Sequence, residues 1–491
     1  MPRRNGCSLT RFGLSSNPDP CQSEVVIAAP RSRLAALAVL LATTGTGCCL
    51  TIVSGIGSPS ESTTGGTSAA TSGATSGGAT STTTTGGVSS TTTTGGTTGA
   101  TTTGGQTTGG MPDSGPDAGP DAGPDGGMPD SGFDAGRCLA TTVFAPVVTY
   151  TVGAAPFGIQ VADLDGNGKP DLAVSDIGQG MVWILPGRGD GTFDPAVGYL
   201  EGGASYALTT ADFNHDGVAD LAVANTAQGS VSVLLGDGDG GFGPPQSFSA
   251  GEAPNCVIAT DLNGDGEIDL VVSNYNAGMG TTVSVMLGEG DGGFAPPAGY
   301  SVGAGAIFVV TDDFNADGIP DLLAASQGGN SLALLLGVGD GTFASAQPFG
   351  ASAGTAPTSI GLGNFNGSLG AAVTDWFGNS VAILAGPVAA TEQPAIINLG
   401  SNPNSVAVAD FDGDGILDLA VAEANSFSST APGTIDLLIG KGDGTFEPPV
   451  TFAVGPSSVT VVAADLNGDG KPDLAVADQS GSVSILLNAC P

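Results

Sequence analysis

Asp465-Leu-Asn467-Gly-Asp469-Gly470-Lys-Pro-Asp473 is the stretch that decides how this chain is read. Oxygen-bearing side chains stand at positions 1, 3, 5 and 9 of a short loop that turns on Gly470. Hard divalent cations such as calcium take several oxygen ligands. A loop this short wraps one only if alternate residues point inward and a glycine permits the bend. One copy would mark no more than an ordinary Asn-Gly or Asp-Gly turn. The same nine residues, however, begin at Asp163, Asp212, Asp261, Asp313, Asp410 and Asp465, and a degenerate copy begins at Asn364. Successive starts lie 46 to 55 residues apart. Seven units at a period of about fifty residues indicate a repeat architecture.

The residues around each loop read as strands. In the last unit, residues 459–464 form an apolar strand before the loop and 474–477 a second one after it. Residues 479–481 turn, and 482–487 alternate as a third strand. Earlier units add a hairpin and a fourth strand, as in residues 236–248. Four short strands per unit, seven units and no helical periodicity predict an all-β fold, a seven-bladed β-propeller of four-stranded blades. Such a ring protects its strand edges by radial closure. The last unit stops after its third strand, whereas residues 144–152 supply an extra strand ahead of the first loop. That N-terminal strand is expected to complete the last blade. Cys138 and Cys490 would then meet at the interrupted hairpin, and a disulfide is predicted there.

The chain has 491 residues, a net charge of -37, 83 glycines and only 10 Lys+Arg. Its acidity is not spread evenly, because 19 carboxylates fall at loop positions 1, 3, 5 and 9 of the six intact copies. So few basic residues exclude nucleic acid and an anionic membrane surface as partners. None of the seven cysteines forms a Cys-x-x-Cys pair, which leaves no basis for a zinc or redox site. Cys256 lies within an apolar strand and reads as a small buried residue.

Three regions follow from composition. Residues 1–53 contain Arg31 and Arg33 followed by an apolar run over 34–42, too short to span a bilayer and of the length of a signal-peptide core. The run ends at Thr44-Gly45-Thr46-Gly47-Cys48, which resembles a bacterial lipoprotein signal, with Gly45 where that family usually has Leu. The resemblance implies lipidation of Cys48 and an exported protein of the outer membrane or cell surface, with a plain secretory signal as the alternative. Residues 54–137 run from a Ser/Thr/Gly tract into a Pro/Asp/Gly repeat. They lack the apolar side chains that would offset the entropy of ordering and read as a disordered stalk. Residues 138–491 hold the repeats.

The pattern Asp-x-Asn-x-Asp-Gly-x-x-Asp-Leu, then a Gly-Ser-Val-Ser-Val-Leu-Leu strand, then Gly-Asp-Gly-Thr-Phe, resembles the FG-GAP/VCBS-type repeat. It is also similar to the propeller at the head of integrin α subunits. The resemblance covers residues 138–491 and implies calcium in the hairpin between the first two strands of a blade, with partners on the opposite face. Carried onto this sequence, the implied ligands are Asp163, Asp165, Asn167 and Asp171 with the carbonyl of Lys169. The later loops would use Asp212, Asn214, Asp216 and Asp220, then Asp261, Asn263, Asp265 and Asp269, then Asp313, Asn315, Asp317 and Asp321. The sixth would use Asp410, Asp412, Asp414 and Asp418, and the last Asp465, Asn467, Asp469 and Asp473. About six calcium sites are expected. In unit five, Asn364, Asn366 and Ser368 replace the carboxylates, so that loop is expected to be metal-free. An EF-hand is excluded, because position 12 is Val174, Val223 and Val272 where that motif needs a bidentate Glu, and the flanks are strands.

A fold does not by itself give a function. The single histidine, His215, sits at loop position 4 with no partner for a catalytic constellation. No catalytic residue is assigned, and a polysaccharide-acting hydrolase or lyase is kept as an alternative, as is a purely structural envelope protein. The favoured reading is a monomeric propeller displayed on a stalk for adhesion, binding an extracellular glycan or protein. Six residues before each loop start stand Phe157, Tyr206, Asn255, Ile307, Thr358, Asn404 and Val459, expected at the mouth of the central channel. Tyr275, Asn276, Trp376, Phe377 and the insertion over 425–434 are expected on the same face. Aromatic and amide side chains there suit sugars or peptides. Phe193, Phe343 and Phe446 of the Gly-Asp-Gly-Thr-Phe turns are expected between blades.

Overall fold

The computed structural model describes residue 138 and residues 143–200, 203–350, 354–384, 393–424 and 432–490. Cys48, the stalk and most of the 425–434 insertion lie outside the described residues. Those residues form seven antiparallel four-stranded sheets and no α-helix. In each sheet the burial of the strands follows radial position. The second strand, for example Asp171–Asp176 or Asp473–Asp478, is buried at all six positions. Both of its faces lie against neighbouring blades, which is why these strands read as continuous apolar runs rather than alternating ones. The outer strands, such as Val148–Thr151 and Val197–Leu200, are largely exposed.

Seven hydrophobic layers hold the sheets together, one between each pair of neighbours. The layer between the last blade and the first gathers Ile485, Val483 and Ala475 with Ile159, Val174 and Phe193. Phe193, Phe294 and Phe343 are buried in these layers, each making edge-on contact with an aromatic on the outer strand of the preceding blade. The pairs are Tyr150 with Phe193, Phe248 with Phe294 and Tyr300 with Phe343, with ring centroids 5.5 Å apart in each. Edge-to-face pairs of this kind contribute about 0.5–1.5 kcal/mol beyond the area they bury.

The last blade takes its outermost strand from the other end of the repeat region. Val148–Thr151 pairs antiparallel with Ser482–Leu486, Val148 opposite Ile485 and Thr151 opposite Ser482. Phe144 bridges to Asn488 and stacks edge-on against Phe411 and Phe452, taking the place that the Gly-Asp-Gly-Thr-Phe phenylalanine holds elsewhere. Next to it, the sulfurs of Cys138 and Cys490 lie at bonding distance, with Cα atoms 5.5 Å apart across 352 residues of sequence. A link that closes so long a loop restricts the unfolded chain by about 4–6 kcal/mol in the chain-entropy account. Cys138→Ser is therefore expected to lower the melting temperature by several degrees relative to the oxidised protein. A reductant should reproduce the shift in the wild type and add nothing in the variant, as read by calorimetry.

Two backbone devices shape the ends of the blades. Each of the six intact Asp/Asn loops places positions 4 and 6 in the left-handed region, as at Gly468 (φ 79°) and Gly470 (φ 84°). Position 4 is His215 (φ 59°) in the second loop and Ala316 (φ 60°) in the fourth. A side chain there costs about 1–2 kcal/mol. Ala316→Gly is expected to raise the denaturation midpoint by roughly 0.5–1 kcal/mol of stability, since glycine's greater unfolded-state entropy offsets part of the relief. At the opposite end, every innermost strand opens with a register shift, for instance between Pro254 and Cys256 and between Pro403 and Ser405. The residue inside each shift is re-aimed by the bulge.

Candidate metal loops and channel mouth

The acidic loops all join the innermost strand of a blade to the second strand, so they form one face of the ring. Their side chains organise the turn through the backbone. In the last loop the Asp465 carboxylate accepts from Gly468, Asp469 and Gly470 N–H at 2.7–3.1 Å, and Asn467 Oδ1 accepts from Asp469 N at 2.9 Å. The first loop repeats the scheme, with Asp163 accepting from Asn167 and Gly168 N–H and Asn167 Oδ1 from Lys169 N. The carboxylates of Asp163, Asp165 and Asp171 converge within 4.8 Å of one another, and so do those of Asp410, Asp412 and Asp418. In the second, third and fourth loops the position-3 amide nitrogens of Asn214, Asn263 and Asn315 donate to Asp216, Asp265 and Asp317 at 2.8–2.9 Å. An all-oxygen cluster with three carboxylates suits a hard divalent cation. The first and sixth loops carry that donor set already gathered.

The ninth-position aspartates do something that the sequence does not reveal. Each is buried, and each staples two backbone segments together. One oxygen of Asp171 accepts from Leu164 N at 2.9 Å, and the other from Gly187 N, beyond the third strand, at 2.6 Å. Asp220, Asp269, Asp321, Asp418 and Asp473 repeat this with Phe213 and Gly236, Leu262 and Gly288, Phe314 and Gly337, Phe411 and Gly440, and Leu466 and Asn488. Burial pushes all six carboxyls above the ordinary range despite those donors, Asp418 to about 7 and Asp473 to about 6. Each carboxylate oxygen keeps a lone pair after its N–H bond, so a staple and a cation ligand are compatible roles.

Loop five has no such carboxylate. Asn364 Oδ1 accepts from Gly367 N at 2.6 Å, and Ser368 Oγ donates to Asn366. This turn uses amide and hydroxyl groups where the intact loops use carboxylates. His215 lies half exposed on the loop face, 2.6 Å from the Glu267 carboxylate of the neighbouring loop, whose hydrogen bond raises its pKa.

On the other face, the seven bulged residues, one from each innermost strand, all line one axial cavity of about 260 Å³. Phe157 and Tyr206 pack ring to ring at 4.9 Å, with Asn255, Thr358 and Asn404 around the rest of the rim. Tyr275 reaches the cavity from the turn after a second strand, its hydroxyl donating to Gln327 Oε1 at 2.6 Å. Trp376 does not belong to this surface. It is 3% exposed and packed against Ala356 and Ala424, while its neighbour Phe377 is 62% exposed. The sequence shows two aromatics in one turn, and only the fold decides which of them turns inward.

The described region is thus a seven-bladed propeller whose blades carry Asp/Asn loops on one face and a bulge-lined channel mouth on the other. The FG-GAP-like repeat family matches residues 163–223, 212–272, 313–368 and 426–476, and the FG-GAP repeat family matches 402–438. The chain is an FG-GAP-type repeat propeller. No curated protein matches it by sequence. Solved structures similar to it include BBS1N in complex with ARL6DN, at 13% identity over 71% of this chain and 98% of that one, with a TM-score of 0.51. Hydrazine synthase of Kuenenia stuttgartiensis has 14% identity over 70% and 98%, with a TM-score of 0.48. A catalytically inactive virginiamycin B lyase from Staphylococcus aureus has 12% identity over 70% and 99%, with a TM-score of 0.46. Identities this low show the fold alone.

Proposed function

We propose that this chain is an exported, calcium-stabilised propeller that serves adhesion or ligand binding, with the stalk presenting it away from the envelope. Calcium would be held by the loop oxygens, foremost those of Asp163, Asp165 and Asp171 and of Asp410, Asp412, Asp414 and Asp418. It would act as a fastener rather than a reagent. An ion bound by the native loops and only poorly by the unfolded chain stabilises the fold by mass action. The observation that carries the ligand-binding reading is the convergence of seven bulged residues on one mouth, on the face away from the loops.

The polysaccharide-acting alternative needs carboxylates beside its substrate. The residues lining the axial cavity include none, and Glu423 and Asp436, two neighbouring acids elsewhere, are both buried. Among the described residues no helix is long and apolar enough to cross a membrane, so attachment would run through the segment that holds Cys48. The reading is tested by presenting the full chain, with calcium and with chelator, to arrays of glycans and extracellular proteins. Saturable capture that is lost on chelation is expected. Turnover of a polymer substrate, or no capture of any ligand, would contradict it.

A further inference from the structure

Asn255 stands out among the residues of the mouth. It is 9% exposed and lines the cavity, and its side-chain amide makes no hydrogen bond among the described residues. The bulge between Pro254 and Cys256 is what points it inward. Its primary amide, with two donors and an acceptor, opens onto the cavity rather than onto the protein. Water in the cavity can satisfy that amide, and a ligand group that reproduces those hydrogen bonds can displace the water.

The surroundings define that ligand. No Asp, Glu, Lys, Arg or His lines the cavity, in a chain whose net charge is -37. A charged ligand would enter without a counter-charge and lose its hydration. Beside Asn255 the rim offers the Phe157–Tyr206 ring pair, while across the mouth the neutral side chains of Thr358 and Asn404 are engaged with Thr374 Oγ1 and with the Val459 carbonyl. A volume of about 260 Å³ falls just below the roughly 300–1,000 Å³ of pockets for drug-sized ligands. That is room for one terminal unit of a chain rather than a folded or extended peptide segment. A ligand with an apolar face, several hydroxyls, no charge and this size is a sugar.

We infer that the channel mouth binds the neutral end of a carbohydrate chain, with the Asn255 amide bonding its hydroxyls and the Phe157–Tyr206 pair covering its apolar face. This rests on reading the mouth as the ligand-binding face. The test uses the full calcium-loaded chain and a panel of neutral hexose- and N-acetylhexosamine-terminated oligosaccharides, with sulfated and carboxylated counterparts and unrelated peptides as the other arms. Binding confined to neutral termini and little changed between 0.1 and roughly 0.5 M salt is expected, because no ion pair takes part. Asn255→Ala should weaken it at least tenfold at an unchanged melting temperature, and Phe157→Ala, which also removes packing against the layer between the first and last blades, should weaken it as much in protein shown to be folded at the assay temperature. Asn255→Asp, which keeps the shape and adds a charge, should weaken it as much. Binding only to charged glycans or peptides, neutral binding indifferent to Asn255→Asp, or no neutral binding would overturn the inference. In any of these cases, capture of another ligand would leave the broader reading of this propeller as a binding module standing, and no capture at all would end both.

Discussion

Asp418→Ala is expected to lower the melting temperature of the metal-free protein, whereas Asp414→Ala should lower it only when calcium is present. Both residues belong to the same loop, but the structure gives them different work. Asp418 is fully buried and accepts from Phe411 N at 2.8 Å and Gly440 N at 2.7 Å, tying the loop to the far end of the third strand. Its removal strands two buried backbone donors, at about 1–3 kcal/mol each. Asp414 is exposed, and its Oδ1 accepts from Ile416 N within the turn, where water can replace it. Its larger contribution would be as one of four loop carboxylates around an ion. Melting curves of the two variants in chelator and in millimolar calcium separate the roles. Equal losses in chelator would mean that position nine is a ligand and nothing more.

Lowering the pH of the calcium-free protein from 8 to 5 is expected to raise its melting temperature by several degrees, the reverse of ordinary acid destabilisation. Burial, ahead of every other cause, lifts Asp418, Asp478 and Glu423 to about 7 and Asp473 to about 6. Glu423 is raised further by the neighbouring Asp436 charge, and Asp478 keeps one carboxyl oxygen without a partner. A folded-state pKa above the unfolded one means that the native state holds more protons between the two values. Stability is then fully present below the unfolded value, 3.8 for Asp and 4.5 for Glu, and is lost as pH rises through the folded value near 7. Calcium should reverse the trend, because the loops bind it only with their carboxyls deprotonated. Melting temperature against pH, with and without calcium, gives two curves that diverge above pH 6. A metal-free curve that rises steadily toward pH 8 would contradict the account.

The architecture was legible because its signals were redundant. Seven spaced copies of one loop, each flanked by strand-length apolar runs, leave little besides a propeller, and the FG-GAP-type fold agrees. The mouth residues were also legible, since a fixed offset of six from each loop start picks out Phe157, Tyr206, Asn255 and their equivalents. The bulge that aims them was not, because no residue type marks it consistently: the shifted strands open with Pro, Ser or Ala. The ninth-position aspartates read as ligands because one residue type serves two purposes, and their staple partners at Gly187, Gly236 and Gly440 lie 16 to 22 residues away. Phe144 reads from sequence as the first residue of the N-terminal strand, because it lacks the Gly-Asp-Gly-Thr context of its counterparts; the strand itself begins at Val148. Trp376 reads as a surface aromatic but lies buried, because burial of a turn aromatic depends on the neighbouring blade, here through Ala424, and not on its own segment.

Differential scanning calorimetry of the full chain, loaded with calcium and then treated with chelator at pH 7.5, tests the central claim most directly. If two loops bind calcium at a hundredfold excess over Kd, about 5 kcal/mol of stability disappears with the ion, and the account predicts a fall in melting temperature of roughly 7 °C. Loop variants Asp163→Ala and Asp410→Ala should each take away part of that fall, while Asn364→Ala leaves it intact. A melting temperature that does not respond to chelation would show that the blades are held without the ion.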